Sequence, residues 1–454
     1  MTLTSSERLV VVGGDAAAMT AASQARRARA DLEIIALEKG RYVSYAACGI
    51  PYYVGGVVSE LDKLLIRKPE EFKQKQNIEA RIRHEVVGIR PAEAKVVIRD
   101  LDAGREYEEP YDELLIATGA KNVRPELPGV GSEGIYHVAS IDDAKELREI
   151  MEHKTPKRAV IVGGGYIGLE MAEAFLRWGV DVSIVGRAPQ LMRNIDPDMG
   201  ALLSDALEKM GVHLYLGEAA TAFEETSGRV AAVVTAERTL LSDLVILATG
   251  IRPNAALAAE AGIELGTTGA IKVDDHMRTS VDHVWAAGDC VETTQLVTGK
   301  PYWVSVATVA SKQGRVAGTN IGGGDASFAG AFGTTITKAG SIEVSRTGLQ
   351  ETDLAGGELE FASATINSQT CTGYYPTSEP MTIKLIGEVG SGRLLGGQIV
   401  GGAGAAMRIN VVAAALEAGM TAQQVAELDL AYAPPFSSVW DPVLLAARQL
   451  SSKL

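Results

Sequence analysis

The sequence predicts an α/β chain in which two doubly wound domains are followed by a C-terminal α+β domain. Three observations predict it. Residues 8–40, "RLVVVGGDAAAMTAASQARRARADLEIIALEKG", and 158–189, "RAVIVGGGYIGLEMAEAFLRWGVDVSIVGRAP", repeat one pattern: apolar strand, Gly-rich turn, Ala-rich helix, apolar strand. Each repeat is followed further along by an apolar strand ending in Ala-Thr-Gly, "LLIATGA" and "VILATGI". The composition is 46% hydrophobic but only 5% aromatic, with 49 glycines, which suits Ala/Val/Ile/Gly-rich α/β layers better than a β-sandwich.

In chain order, the first repeat opens a βαβ unit, whose strands must lie parallel. "LLIATGA" adds a strand to it, and the second repeat begins the same construction again. "VDHVWAAGDC" (281–290) ends another strand. After residue 330 the texture changes. "FGTTITKAGSIEVSRTGL", "MTIKLIGEV" and "RLLGGQIVGG" read as strands with turns, and "AAMRINVVAAALEAG" and "TAQQVAEL" as helices. The expected division is residues 1–120 with 251–330, residues 121–250, and residues 331–454.

At 454 residues the chain is long enough for two to four domains. A net charge of −14 argues against nucleic acid or an anionic membrane surface as a general partner. An anionic ligand would need a local basic patch. Three cysteines do not make a disulfide framework and point to a reducing cytoplasm. "MTLTSSERLVVVGG" has no basic segment before an apolar core, so no signal peptide is expected. No apolar run reaches the roughly 18 residues of a membrane span.

The Gly-rich turns carry the first chemistry. Gly163-x-Gly165-x-x-Gly168 follows a strand and opens a helix. The first glycine makes the turn, the second lets backbone N–H groups approach a pyrophosphate, and the third lets the helix pack on the strand. The first loop departs from this pattern. It reads Gly13-Gly14-Asp15-Ala16-Ala17-Ala18, with Asp15 in the second glycine's place and Ala18 in the third. A carboxylate there is unfavourable beside a pyrophosphate unless it points away. Glu38, at the end of the second strand, matches the acid that binds a ribose hydroxyl. The second repeat has Gly186-Arg187 at that point, with Arg193 beyond and no acid. That favours a 2′-phosphate, so NADPH is expected there in preference to NADH.

Two dinucleotide folds, two Ala-Thr-Gly turns (Thr118-Gly119 and Thr249-Gly250), "AAGDC" and "CGIPYYVGG" occur in this order. Together they resemble the pyridine nucleotide–disulfide oxidoreductases over nearly the whole chain. The lone Cys48 resembles the branch of coenzyme A disulfide reductases, CoA-persulfide and sulfur reductases, and some NADH oxidases. The resemblance implies two dinucleotide-binding domains, FAD in the first and NAD(P)H in the second, and a C-terminal dimerisation domain that makes a homodimer. It implies that Asp289 binds the flavin ribityl or phosphate region. It also implies that Tyr166 covers the flavin face where a nicotinamide stacks, and that Glu170 lies near that nicotinamide. Thr118, Gly119 and Gly250 of the Ala-Thr-Gly turns join the expected cofactor contacts. No metal ion is expected.

No second cysteine lies near Cys48 in the sequence. The position five beyond it is Tyr53, so the Cys-x4-Cys pair of glutathione- and lipoamide-type reductases is missing. The last histidine is His283, so no C-terminal imidazole is available. The first Gly-rich loop lacks the histidine of the peroxidase and water-forming oxidase branches. A single-thiol cycle remains, in which the resolving thiol is the substrate's own, coenzyme A above all. Cys290 and Cys371 are expected to be structural. "TGYYPTSEP" and "AYAPPFSSVWDP" resemble stretches that place a tyrosine in the partner subunit's site. They assign acid roles to Tyr374, with Tyr375 as the alternative, and to Tyr432. Phosphates of coenzyme A need cations, for which Arg26, Arg27, Lys63, Arg67 and Lys68 are candidates, and Ser44 matches a family residue beside the cysteine. Ala47 stands where some CoA disulfide reductases have Asn, which leaves CoA persulfide or polysulfide open. Competing readings are an NAD(P)H oxidase that reduces O₂ through a Cys48 sulfenate, and a redox-sensing flavoprotein.

Overall fold

The first apolar run forms strand Arg8–Val12, which pairs in parallel with Glu33–Glu38 on one side and Glu113–Ile116 on the other. Ile78–Ile82 and Val284–Ala286 extend this sheet, giving the order 5-4-1-2-3 in chain sequence. The order reverses beside the first strand. A crevice at that reversal, at the carboxyl ends of the strands, is where doubly wound sheets take ligands. The structure, a computed structural model, describes residues 7–357 and 359–454. It divides into two units, the first made of the described residues up to Gly49, Glu60–Val123 and Ile251–Ala331.

In this first unit helix Ala16–Ala28 covers one sheet face and helix Ala307–Ile321 packs on it. Small residues allow the approach. A Cβ on Gly314 would lie 2.4 Å from the Ala17 carbonyl oxygen, and one on Gly318 2.3 Å from that of Ala21. The other face is covered by the antiparallel strands His84–Arg90, Lys95–Asp100 and Arg105–Pro110.

The second unit comprises Ile50–Ser59, Arg124–Gly250 and Phe332–Leu454. Its parallel sheet sets Arg158–Val162 between Asp181–Gly186 and Leu244–Leu247, with His213–Leu216 and Ile135–Tyr136 at the edges. The internal repeat holds down to single bonds. Gly13 N donates to Leu37 O at 2.9 Å and Gly163 N to Val185 O at 2.8 Å. Ala117 N bonds Val12 O, and Ala248 N bonds Val162 O, each at 2.9 Å.

The C-terminal strands form one antiparallel sheet in the order Thr335–Ala339, Ile342–Gly348, Leu394–Gly401, Pro380–Glu388, Phe361–Gln369. The expected helices form at Ile409–Glu417 and Ala422–Ala426. Edge strand Phe361–Gln369 and helix Pro442–Ser451 add to the sequence expectation.

Two placements differ from the expected division. The second doubly wound domain and the C-terminal domain share a unit, because a buried polar knot joins them. The Lys384 ammonium, 4% exposed, pairs with Asp196 at 3.2 Å, Asp198 at 2.9 Å and Glu351 at 3.0 Å. Asp196 and Gln398 exchange two further bonds, at 2.8 and 2.6 Å. Residues 50–59, expected with the first domain, group with the second unit. Arg148, Trp178 and Arg177 donate to the carbonyls of Tyr53, Val54 and Gly55 at 2.9, 2.9 and 3.0 Å, satisfying the open end of helix Ile50–Val54.

Candidate active site

Gly13 adopts φ +124, a conformation L side chains rarely take, and a Cβ there would lie 2.3 Å from the Ala117 carbonyl oxygen. Gly163 repeats this at φ +120, 2.1 Å from the Ala248 oxygen. Both loops therefore press the first glycine onto the Ala-Thr-Gly strand. Gly168 is needed because its Cβ would meet Gly163 O at 2.2 Å, whereas Gly165 opens onto free space. In the first loop Gly14 packs against Val43 and Glu38, and Ala18 is buried.

Three carboxyls converge on the first loop. Burial raises the pKa of Glu38 and of Asp289, although Glu38 accepts from Gly40 N at 2.6 Å and Asp289 from Ser305 Oγ at 2.5 Å. Burial, reinforced by the charges of Glu38 and Asp289, pushes Asp15 up to about 6. Asp15 turns one oxygen to Tyr45 N at 3.3 Å. Buried acceptors with few donors suit a ligand rich in hydroxyl groups, and open space beside Gly119, which has φ +68, leaves room for it. The first loop therefore fits the ribose and ribityl groups of a flavin dinucleotide. Thr118 ties its own turn to Asn254 O at 2.7 Å.

The cysteine segment is fastened to the same loop. Ser44 N donates to Gly14 O at 2.7 Å, and Ser44 itself sits at φ +50. Ile66 N bonds Ser44 O at 2.9 Å and Ala46 N bonds Leu64 O at 2.8 Å. Cys48 lies on the one-turn helix Ala47–Gly49 and is exposed. Cys290 is buried and donates to Ile116 O and Ala287 O, and Cys371 is also buried.

The five cations selected from sequence are not gathered together. Arg67 and Lys68 line a cavity of about 270 Å³ with Arg41, Tyr42 and Val43. Arg67 also bonds Gln76 at 2.9 Å. Arg26 donates to Arg29 O, Ala30 O and Asn77 O, so it serves the C-terminal end of its own helix. Arg27 is exposed and bonds Gln24, and Lys63 pairs with Glu60 at 3.1 Å. Arg41 was missed by sequence reasoning, although its place between Glu38 and the cysteine is a signal that could have found it.

In the second unit Arg187 and Arg193 are exposed. The Tyr166 phenol accepts from Asn194 Nδ2 at 2.8 Å and meets the Thr335 hydroxyl at 2.5 Å. Glu170, raised by burial, accepts from Thr337 Oγ1 at 3.0 Å. Nothing in the local sequence points to Asn194, Thr335 or Thr337, because their partners lie 28 to 169 residues away. Tyr374 is 75% exposed and Tyr432 46%, whereas Tyr375 is half-buried. Among the described residues no cluster of His, Cys, Asp or Glu could hold a metal ion, and no helix is long and apolar enough to cross a membrane.

These features agree with comparisons to known proteins. Residues 7–314 match the model of the pyridine nucleotide-disulphide oxidoreductases, and 334–443 match the dimerisation domain of that family. The chain belongs to this family and is a flavoprotein oxidoreductase of the disulphide-reductase class. It is 40% identical to the NAD(P)H sulfur oxidoreductase (CoA-dependent) of Pyrococcus abyssi, over 97% of this chain and 98% of that one. Reduced CoADR-RHD of Bacillus anthracis superposes with a TM-score of 0.95 at 34% identity, covering 98% of this chain and 80% of that one. The NAD-dependent persulfide reductase of A. fulgidus gives 0.94 at 39%, covering 98% and 83%.

Proposed function

We propose that this chain is an FAD-dependent enzyme that uses NADPH to reduce a coenzyme A-linked disulfide or persulfide through Cys48. The observation that carries the reading is the bond from Ser44 N to Gly14 O, which ties the segment bearing an exposed thiol to the first dinucleotide loop. The similar proteins named above act on sulfur with CoA or on persulfide, which supports the substrate class.

In this reading residues 1–120 with 251–330 bind FAD through Gly13, Gly14, Ala18, Glu38, Thr118, Gly119 and Asp289. Residues 121–250 bind the pyridine nucleotide through Gly163, Gly165, Gly168 and Gly250, with Arg187 and Arg193 on its 2′-phosphate and Tyr166 and Glu170 on the nicotinamide side. Residues 331–454 form a homodimer. The chemistry FAD supplies when bound is two-electron transfer from the pyridine nucleotide to sulfur.

The Cys48 sulfur attacks one sulfur of the substrate disulfide. A mixed disulfide forms, the substrate S–S bond breaks, and the departing thiolate takes a proton from Tyr432 or Tyr374 of the partner subunit. Two electrons then cleave the mixed disulfide, with one more proton, releasing the second CoA thiol and restoring Cys48. Arg67 and Lys68, with Arg41 beside them, are the cations best grouped for the phosphates of coenzyme A. A reducing cytoplasm suits a chain with three cysteines and no disulfide framework in its sequence.

Cys48→Ser should cut CoA disulfide or CoA persulfide reduction at least about a hundred-fold while bound flavin is still reduced by NADPH. Tyr432→Phe should slow turnover with the same substrates and spare that reduction. Unchanged thiol-substrate turnover in Cys48→Ser would overturn the reading. Oxygen uptake as fast as disulfide reduction would mark an oxidase instead.

A further inference from the structure

In a dinucleotide fold the end of the second strand decides whether a 2′-hydroxyl or a 2′-phosphate is taken. Along the chain this point carries no acid, only Gly186 and Arg187. The sheet brings an acid to it from the neighbouring strand. Leu216 pairs with Gly186, and just beyond it Glu218 N donates to Gly186 O at 3.0 Å. Gly217 N donates to Ala188 O at 2.9 Å, so the segment carrying Glu218 is tied by backbone bonds to both ends of the Gly186–Ala188 turn. The turn also lies against the Gly-rich loop, since a Cβ on Gly186 would be 4.0 Å from Gly164 N.

A free carboxylate beside this turn would repel a 2′-phosphate. The Glu218 carboxylate is not free. Arg238 meets it with a forked pair, Nε on one oxygen at 3.0 Å and Nη2 on the other at 2.8 Å. Thr235 Oγ1 donates to it at 2.9 Å, and the Glu218 side chain is only 14% exposed. The hydrogen bonds from Arg238 hold the Glu218 carboxyl below the usual carboxylate range. The arginine is fixed in turn. Its guanidinium carbon lies 4.6 Å from the centre of the Tyr215 ring, Arg238 N donates to Thr235 Oγ1 at 3.1 Å, and Thr235 N donates to Arg238 O at 2.9 Å. Forked geometry and a stacked ring set this pair apart from an ordinary surface ion pair.

We propose that Arg238 is a positioning residue for nucleotide choice: it locks and neutralises Glu218, and so leaves the Gly186–Arg187 turn able to accept a 2′-phosphate. The inference rests on the reading that NADPH binds at this turn. Without Arg238, an uncompensated carboxylate stands beside the strand end and opposes a 2′-phosphate. NAD⁺ carries no charge there for it to oppose. The change therefore falls on NADP⁺ and spares NAD⁺, which loss of a merely structural tie does not do.

The test is calorimetric titration of the flavin-loaded enzyme with NADP⁺ and with NAD⁺, which gives both dissociation constants without turnover. Arg238→Met should raise the constant for NADP⁺ about three- to ten-fold and leave NAD⁺ no weaker. Adding Glu218→Gln removes the stranded charge, so the double variant should return to within about two-fold of the parent for NADP⁺. Arg238→Lys keeps the charge and should retain most of the preference for NADP⁺. Equal weakening of NADP⁺ and NAD⁺ in Arg238→Met, or no change in either, overturns the proposal. So does a double variant as weak for NADP⁺ as Arg238→Met alone, because Arg238 would then act on the nucleotide without Glu218. Arg187→Ala with Arg193→Ala decides the underlying reading separately. If that pair leaves NADP⁺ affinity untouched, the 2′-phosphate does not lie at this turn. If it weakens NADP⁺ while Arg238→Met does not, only the role of Arg238 fails.

Discussion

Asp15 stands where a dinucleotide loop needs a glycine, and its surroundings explain how the chain tolerates it. Its side chain turns to Tyr45 N rather than to the start of its own helix, where it makes no cap. Burial, then the charges of Glu38 and Asp289, bring its pKa to about 6. A carboxyl whose folded pKa lies above its unfolded value binds its proton more tightly in the native state. Native stability then falls as pH rises from about 4, the unfolded value, through about 6, and the full cost is present above that. Asp15→Asn keeps a carbonyl for Tyr45 N and removes the charge. Its stability gain over the parent should grow from near zero below about pH 3 to about 3 kcal/mol at about pH 7.5. Thermal unfolding of both proteins across that range checks this, and a gap independent of pH would refute it. At this scale the candidate residues were legible: the place of Cys48, the acid at Glu38 and the oddity of Asp15 are all visible in short stretches. The choice of Tyr374 over its alternative Tyr375 was not. Only exposure separates them, and exposure depends on what the chain does elsewhere.

Arg408 shows what decides geometry at the scale of elements. It precedes helix Ile409–Glu417, and its guanidinium donates to Thr370 O and Phe436 O at 2.8 Å each, to Gly404 O at 2.9 Å and to Asp441 at 3.0 Å. Thr370 begins the turn that carries Tyr374, and Phe436 closes the loop that carries Tyr432. Thr372 reinforces the join through its N–H to Pro434 O and its hydroxyl to Ser437 O. Arg408 and Asp441 are each 11% exposed, so loss of the arginine would leave the Asp441 carboxylate with no cation and only Ser437 Oγ and Val443 N as donors. Arg408→Ala should lower stability by about 3 kcal/mol and slow thiol-substrate turnover with flavin content unchanged. Arg408→Lys keeps the charge but not the fork, so it should recover part of the stability and little of the turnover. Denaturant unfolding and turnover measured together test this, and full activity in Arg408→Ala would refute it. No sequence signal marked Arg408, because its distant partners come from two other segments, at Thr370 and at Phe436–Asp441.

For the whole molecule, the C-terminal domain exposes Tyr374, Tyr432, Phe436, Val439, Trp440 and Met407 on the segments that Arg408 joins. A cluster of this kind on a family dimerisation domain is suited to burial against a second copy. Placing glutamates at Phe436 and Val439 together should turn the enzyme monomeric in light scattering and abolish thiol-substrate turnover. A fully active monomer would show that neither tyrosine works across subunits.

The sequence by itself determined the class of fold and the two Gly-rich strand–turn–helix loops. These are properties of strand, turn and helix periodicities within a few tens of residues, where sterics and hydrophobic spacing leave little choice. Only the tertiary structure decided which cations gather at Arg67 and Lys68, what clamps Tyr166, and why residues 50–59 leave their neighbours for the other unit. The hold on Tyr166 and the placement of residues 50–59 depend on pairings between groups 28 to 169 residues apart, and a linear pattern carries no record of which distant groups meet when the chain closes on itself.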